Sequence, residues 1–143
     1  MSEPSLKIEL IESPQQSVID FLDNQIVEFN HSQRELNKRE PIAVTVKNDN
    51  DEIIAGATGV TFGYWLQLNI LWVSEALRRQ DYGSQLLTQI ETAAKARGCH
   101  YCLLDTLNFQ AMPFYQKHGY KIEWTQENYP LTGCKYFMTK TLS

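Results

Sequence analysis

The segment from Tyr64 to Leu107 changes its hydrophobic period twice, and this constrains the fold more than any other feature of the chain. "YWLQLNILWVS" alternates as a strand does, with Leu66, Leu68, Ile70 and Trp72 on one face and Trp65, Gln67, Asn69, Leu71 and Val73 on the other. From Gly83 the period becomes helical, and Leu86, Leu87, Ile90, Ala93 and Ala94 line one face up to Lys95, Arg97 and the C′ candidate Gly98. "CHYCLLDT" then returns to a short apolar run that fits a buried strand. Strand, helix and strand at this spacing form a βαβ unit, so the strands ending near Val73 and Asp105 are expected to be parallel neighbours whose C-terminal ends open on one side.

The rest of the chain arranges itself around that unit. "KIELIES" alternates like a half-buried strand. "SPQQ" offers a helix start with Ser13 as N-cap, Pro14 at N1 and Gln16 at N3, followed by Val18, Leu22, Ile26 and Phe29 at helical spacing. That helix reads as one covering a core. "PIAVTVKNDNDEIIAGATGVTF" reads as a hairpin turning at Asn48 to Asp51. "MPFYQKH" is a short helix closed by Gly119, and "YKIEW" and "CKYFMTKTL" are final strands.

With 143 residues, 43% hydrophobic and 21% charged, and no repeat or linker, the chain reads as a single domain, 1–143, able to bury roughly 70% of its unfolded surface. No apolar run approaches the ~20 residues that span a bilayer, and "MSEPSLKIEL" lacks the regions of a signal peptide, so a cytoplasmic location is expected and no membrane partner. Three cysteines, an odd number, suit a reducing compartment. A net charge of −4 argues against a nucleic-acid surface, so an anionic partner must be held locally.

"LRRQDYGSQLL" supplies such a place. A turn feeding a helix N-terminus presents unpaired N–H groups and the positive end of the helix dipole, and Arg78 or Arg79 can add charge-assisted bonds. The same turn reads equally as a solvated basic loop capped by Asp81 or Ser84. "CHYC" brings Cys99, His100 and Cys102 together, but the first two point to opposite faces of a strand and no second pair follows, so no metal is expected.

"NFQAMPFYQKHGY" has Asn108, Ala111, Phe114, Tyr115, Lys117, Gly119 and Tyr120 in a register that resembles N-x-x-A-x-x-F-Y-x-K-x-G-F/Y, motif B of the GNAT superfamily of N-acetyltransferases. "LWVSEALRRQDYGSQLL" resembles motif A of that superfamily, a strand running into R-x-x-G-x-G/A and a helix, with Asp81 where the middle glycine usually stands. The resemblance implies an α/β GNAT fold: a mixed, mostly antiparallel sheet with a splayed parallel strand pair and helices on both faces. It implies acetyl-CoA as co-substrate, without a metal, and an amine-bearing acceptor, a small cationic molecule or a peptide, attacked directly. Monomer and homodimer both stay open.

The resemblance also implies residue roles. Backbone amides of Arg78, Arg79, Gln80, Asp81, Tyr82, Gly83 and Ser84 would hold the coenzyme A diphosphate, with the Asp81 carboxylate aimed outward or capping the helix. The backbone of Leu71, Trp72 and Val73 would bind the pantetheine arm and the acetyl oxygen. Asn108 would bond the cofactor, and Tyr115 would protonate the departing thiolate. For the base, Leu103 stands where some members place a glutamate. Asp105 is the first candidate, with binding of a cationic acceptor or capping of the next turn as its other readings, and Glu75, Glu28 and His31 follow. A coenzyme A sensor without turnover is the alternative function.

Overall fold

The structure is a computed structural model describing residues 5–142. The chain divides into two compact units at Asn37 and Lys38. In the first, the described residues hold α1 (Gln16–Gln33). Its N-cap is Gln15, not Ser13: Gln15 keeps an extended backbone, ψ 150°, so the helix cannot start before Gln16. The segment 7–13 expected as a strand carries none. Alternation describes where side chains could point, but a strand exists only where a ladder partner takes its N–H and C=O groups.

The second unit is a six-stranded mixed sheet in the order β1-β2-β3-β4-β6-β5. Strands β1 (Glu40–Lys47) and β2 (Ile53–Phe62) form the expected hairpin. Its turn is set by Asn48, whose Oδ1 accepts the N–H groups of Asn50 and Glu52 at 2.9 and 3.0 Å. β3 (Trp65–Val73) continues the meander, and α2 (Tyr82–Ala96) carries the chain back to β4 (Tyr101–Leu107), parallel to β3. α3 (Met112–Lys117) leads into β5 (Lys121–Glu127) and β6 (Cys134–Thr141), which lies between β4 and β5 and is antiparallel to both.

α2 packs over β1 to β3 and buries Leu86, Leu87, Ile90 and Ala94 against Leu66, Leu104 and Met138. Gly98, at φ 97°, is its C′ residue; the Gly98 and Cys99 N–H groups donate to the carbonyls of Lys95 and Ala94, a Schellman ending. Glu91, also buried, accepts from Tyr120 Oη at 2.7 Å and Lys140 Nζ at 2.8 Å, which satisfies a charge that would otherwise be costly in the core. Among the described residues no helix is long and apolar enough to cross a membrane, and no group of three metal-ligating side chains gathers.

One departure shapes the site. The alternation of β3 does not hold through its whole length: Leu66 and Leu68 are buried, but Ile70 and Trp72 are exposed while Leu71 and Val73 pack on the core. The β2–β3 register slips between Thr58 and Gly59, which face Ile70 and Leu68, so Asn69 is an extra residue, a β-bulge that inverts every face after it. Gly59 permits this crossing, since a Cβ there would lie 2.5 Å from the Gln67 carbonyl oxygen.

Candidate active site

β3 and β4 pair only from Trp65–Tyr101 to Gln67–Leu103. Beyond that point β3 stays with β2 and β4 stays with β6, so the parallel pair opens into a gap, as the βαβ reading expected. The Ser74 N–H donates to Ile54 O at 3.0 Å, toward β2. By the alternation of an antiparallel ladder Trp72 points the same way, and the N–H groups of Leu71 and Val73 point into the gap. Of the main-chain donors assigned from sequence, Trp72 is therefore engaged elsewhere, because its N–H belongs to the β2 ladder.

A cavity of about 330 Å³ occupies the gap and is lined by Leu71, Asp105, Tyr115, Asn69, Tyr129 and Lys135, among others. Both proposed catalytic side chains thus open on one space. Pro113 fixes the first turn of α3 and sends Tyr115 inward, where it is 7% exposed, its ring edge-on to Tyr120. Burial, with a smaller contribution from Cys102, pushes the Tyr115 phenol up to about 12. Asp105 comes from the opposite face of β4 and is exposed.

Beside the gap a second cavity of about 450 Å³ is lined by Val73, Arg78, Arg79, Gly83, Phe114 and Lys117, among others. A short 3-10 turn, Glu75–Leu77, precedes it. The main-chain N–H groups from Arg79 to Ser84 find no acceptor among the described residues. Arg79 and Asp81 both have positive φ, 67° and 68°, which curls these amides into a concave anion-binding nest. This accounts for an acid in the glycine's place: the position demands the left-handed region, which aspartate tolerates better than most residues. The carboxylate makes no capping bond to the helix, contrary to one of the two expected placements, since a left-handed backbone does not aim it at the N2 and N3 amides.

The arginines are not equivalent. Arg78 Nε donates to the Val73 carbonyl at 3.2 Å, bracing the end of β3. Ser84 Oγ meets His118 Nε2 at 2.9 Å, tying the first turn of α2 to the end of α3. Asn108 is in the loop before α3 as expected, but its Oδ1 accepts the Cys134 N–H at 3.2 Å, so the oxygen is spent on the protein's own chain. Glu28 and His31 lie on α1 in the other unit.

Sequence reading missed Asn69, Tyr129 and Lys135. The bulge leaves no pattern of its own, since Asn69 reads as a second polar residue after Gln67 in an otherwise apolar strand. Tyr129 and Lys135 reach the cavity only because β6 inserts beside β4, a non-local pairing.

Comparison with known proteins agrees with this geometry. The chain is similar to an acetyltransferase of Agrobacterium fabrum, 35% identical over 86 residues, 60% of this chain, and it spans 62% of that protein's length. It is similar to the blasticidin-S acetyltransferase of Streptomyces morookaense, 30% identical over 66% of this chain and 70% of that protein. The crystal structure of an acetyltransferase from Bacillus cereus ATCC 14579 superposes with a TM-score of 0.83 at 35% identity, covering 93% of this chain and 97% of that one. With a family match running over residues 8–120, on a sheet whose parallel pair opens onto amides and a buried tyrosine, the chain belongs to the Acetyltransferase (GNAT) family.

Proposed function

We propose that this protein transfers an acetyl group from acetyl-CoA to an amine by direct attack in a ternary complex, and that residues 1–143 act as one domain. The observation that carries this reading is the gap between β3 and β4, where free amides, Tyr115 and Asp105 converge on one cavity. The family match extends across both units, which supports a single functional domain.

Bound acetyl-CoA supplies an activated thioester. The nest from Arg79 to Ser84 receives the diphosphate through main-chain N–H groups, with Arg79 and Lys117 adding charge from the cavity wall. The Leu71 and Val73 N–H groups reach into the gap as donors for the pantetheine arm and for the acetyl oxygen as charge develops there. Tyr115 keeps its proton at neutral pH and holds it at Oη for the departing sulfur. An amine of ordinary pKa about 10.4 is neutral in roughly one molecule per thousand near pH 7.4, so Asp105 accepts its proton directly or through water.

The free cysteines fit a reducing, cytoplasmic setting; burial pushes the Cys102 thiol up to about 11, which leaves it unreactive. The test is release of free thiol from acetyl-CoA over a panel of amines, with mass spectrometry of the product. An N-acetyl product in equal amount to the thiol is expected. Tight coenzyme A binding with no turnover on any amine would favour the sensor function instead.

A further inference from the structure

The cavity in the gap carries opposite charges at two points on the same face of the sheet. Lys135 pairs with Leu107 across the β4–β6 ladder, and Asp105 pairs with Phe137, so the two ionisable side chains are diagonal neighbours. Diagonal positions on one face stand about 7–8 Å apart, somewhat less between their Cβ atoms. That spacing leaves room between carboxylate and ammonium. They do not close it: among the described residues no carboxylate lies within 4.0 Å of the Lys135 ammonium.

Lys135 is nevertheless held. Its Nζ sits 4.4 Å from the centre of the Tyr129 ring and 5.9 Å from that of Phe137. Tyr129 is fixed in turn, because its N–H donates to the Gly133 carbonyl at 2.8 Å and Asn108 clamps Cys134 through both its backbone and its side chain. Gly133 makes this closure possible: a Cβ there would lie 2.7 Å from both Asn108 Oδ1 and the Tyr129 carbonyl oxygen. A positioned lysine with no anionic partner, on the wall that also carries Asp105 and Tyr115, is a built cation facing the acceptor's space.

Resting on the acetyl-transfer reading, we infer that the acceptor is a small amine that also bears an anionic group a few bonds from the reacting nitrogen, an amino acid in the simplest case. The amine end faces Asp105 and the acid end faces Lys135. A cavity of about 330 Å³ is of the size that holds a small molecule. This narrows the broader expectation of a cationic acceptor, because a second positive charge would meet Lys135. Carboxylate, phosphonate and phosphate share the chemistry that Lys135 recognises.

The experiment compares kcat/KM for a panel of amino acids with that for their primary amides, and for aminophosphonates of the same length, in the wild-type protein and in Lys135→Met and Lys135→Arg. The best acid is expected to exceed its amide by at least about tenfold, the size of one charge-assisted bond. Lys135→Met should collapse that ratio toward one, and Lys135→Arg should keep most of it. Preference for the aminophosphonate over the amino acid would support the anion site and name its source. Equal use of acids and amides by the wild type, or a ratio that Lys135→Met leaves intact, would overturn this inference alone. Absence of turnover on every amine, acidic or neutral, would overturn the acetyl-transfer reading and this inference with it.

Discussion

Tyr115 lines the cavity while the residue as a whole is only 7% exposed. Removing its hydroxyl in Tyr115→Phe should lower kcat by roughly 10²–10⁴-fold, the usual range for a general acid, while coenzyme A affinity measured by calorimetry changes less than about threefold. Its titration has a consequence for stability as well. The folded phenol is raised from 10.0 to about 12, so the neutral form is the one the fold favours. Its contribution to stability is whole below about pH 10 and is lost as pH rises toward about 12. Tyr120, bonded to Glu91 and raised by burial first, acts in the same direction. Tyr115→Phe should therefore move alkaline unfolding, followed by far-UV circular dichroism, to higher pH; an unmoved midpoint would show that the phenol is not desolvated in solution.

At the scale of elements, the bulge and the nest decide where the donors point. Gly59→Ala places a methyl group 2.5 Å from a carbonyl oxygen that belongs to the backbone. Overpacking of this kind costs roughly 1–3 kcal/mol in urea denaturation. Because the bulge sets the direction of the Leu71 and Val73 amides, coenzyme A affinity should fall alongside stability. Asp81→Gly relieves a left-handed backbone, so stability should rise by up to about 1 kcal/mol. Coenzyme A affinity should stay within about tenfold, or ~1.4 kcal/mol. A gain of several hundredfold would mean that the carboxylate opposes the phosphates.

The whole chain carries a net charge of −4, so long-range attraction does not hold a polyanion to it. Main-chain amides in a nest act at contact distance and are little screened. Raising salt from about 0.05 to about 0.5 M should accordingly weaken coenzyme A binding by no more than about threefold in calorimetry. A loss of a hundredfold would transfer the role to Arg79 and Lys117 acting as free surface charges.

Periodicity and turn chemistry, both local, were enough to place β1 to β6, α2 with its Gly98 ending, and α3 with Pro113 and Gly119. Each of these is decided within one turn or one strand length, where a side chain answers only to its neighbours. The motif register likewise pointed to the turn from Arg78 to Ser84 and to Tyr115, and Asp105 followed from its place at the C-terminal end of a parallel strand. The tertiary structure decided what depends on a partner distant in the chain. Segment 7–13 alternates yet carries no strand, Asn69 reverses the faces of β3 because it is left unpaired where the β2 register slips between Thr58 and Gly59, and Lys135 enters the cavity because β6 lies beside β4. Pairing register is a contact between two separate segments, and no periodicity inside either segment encodes it.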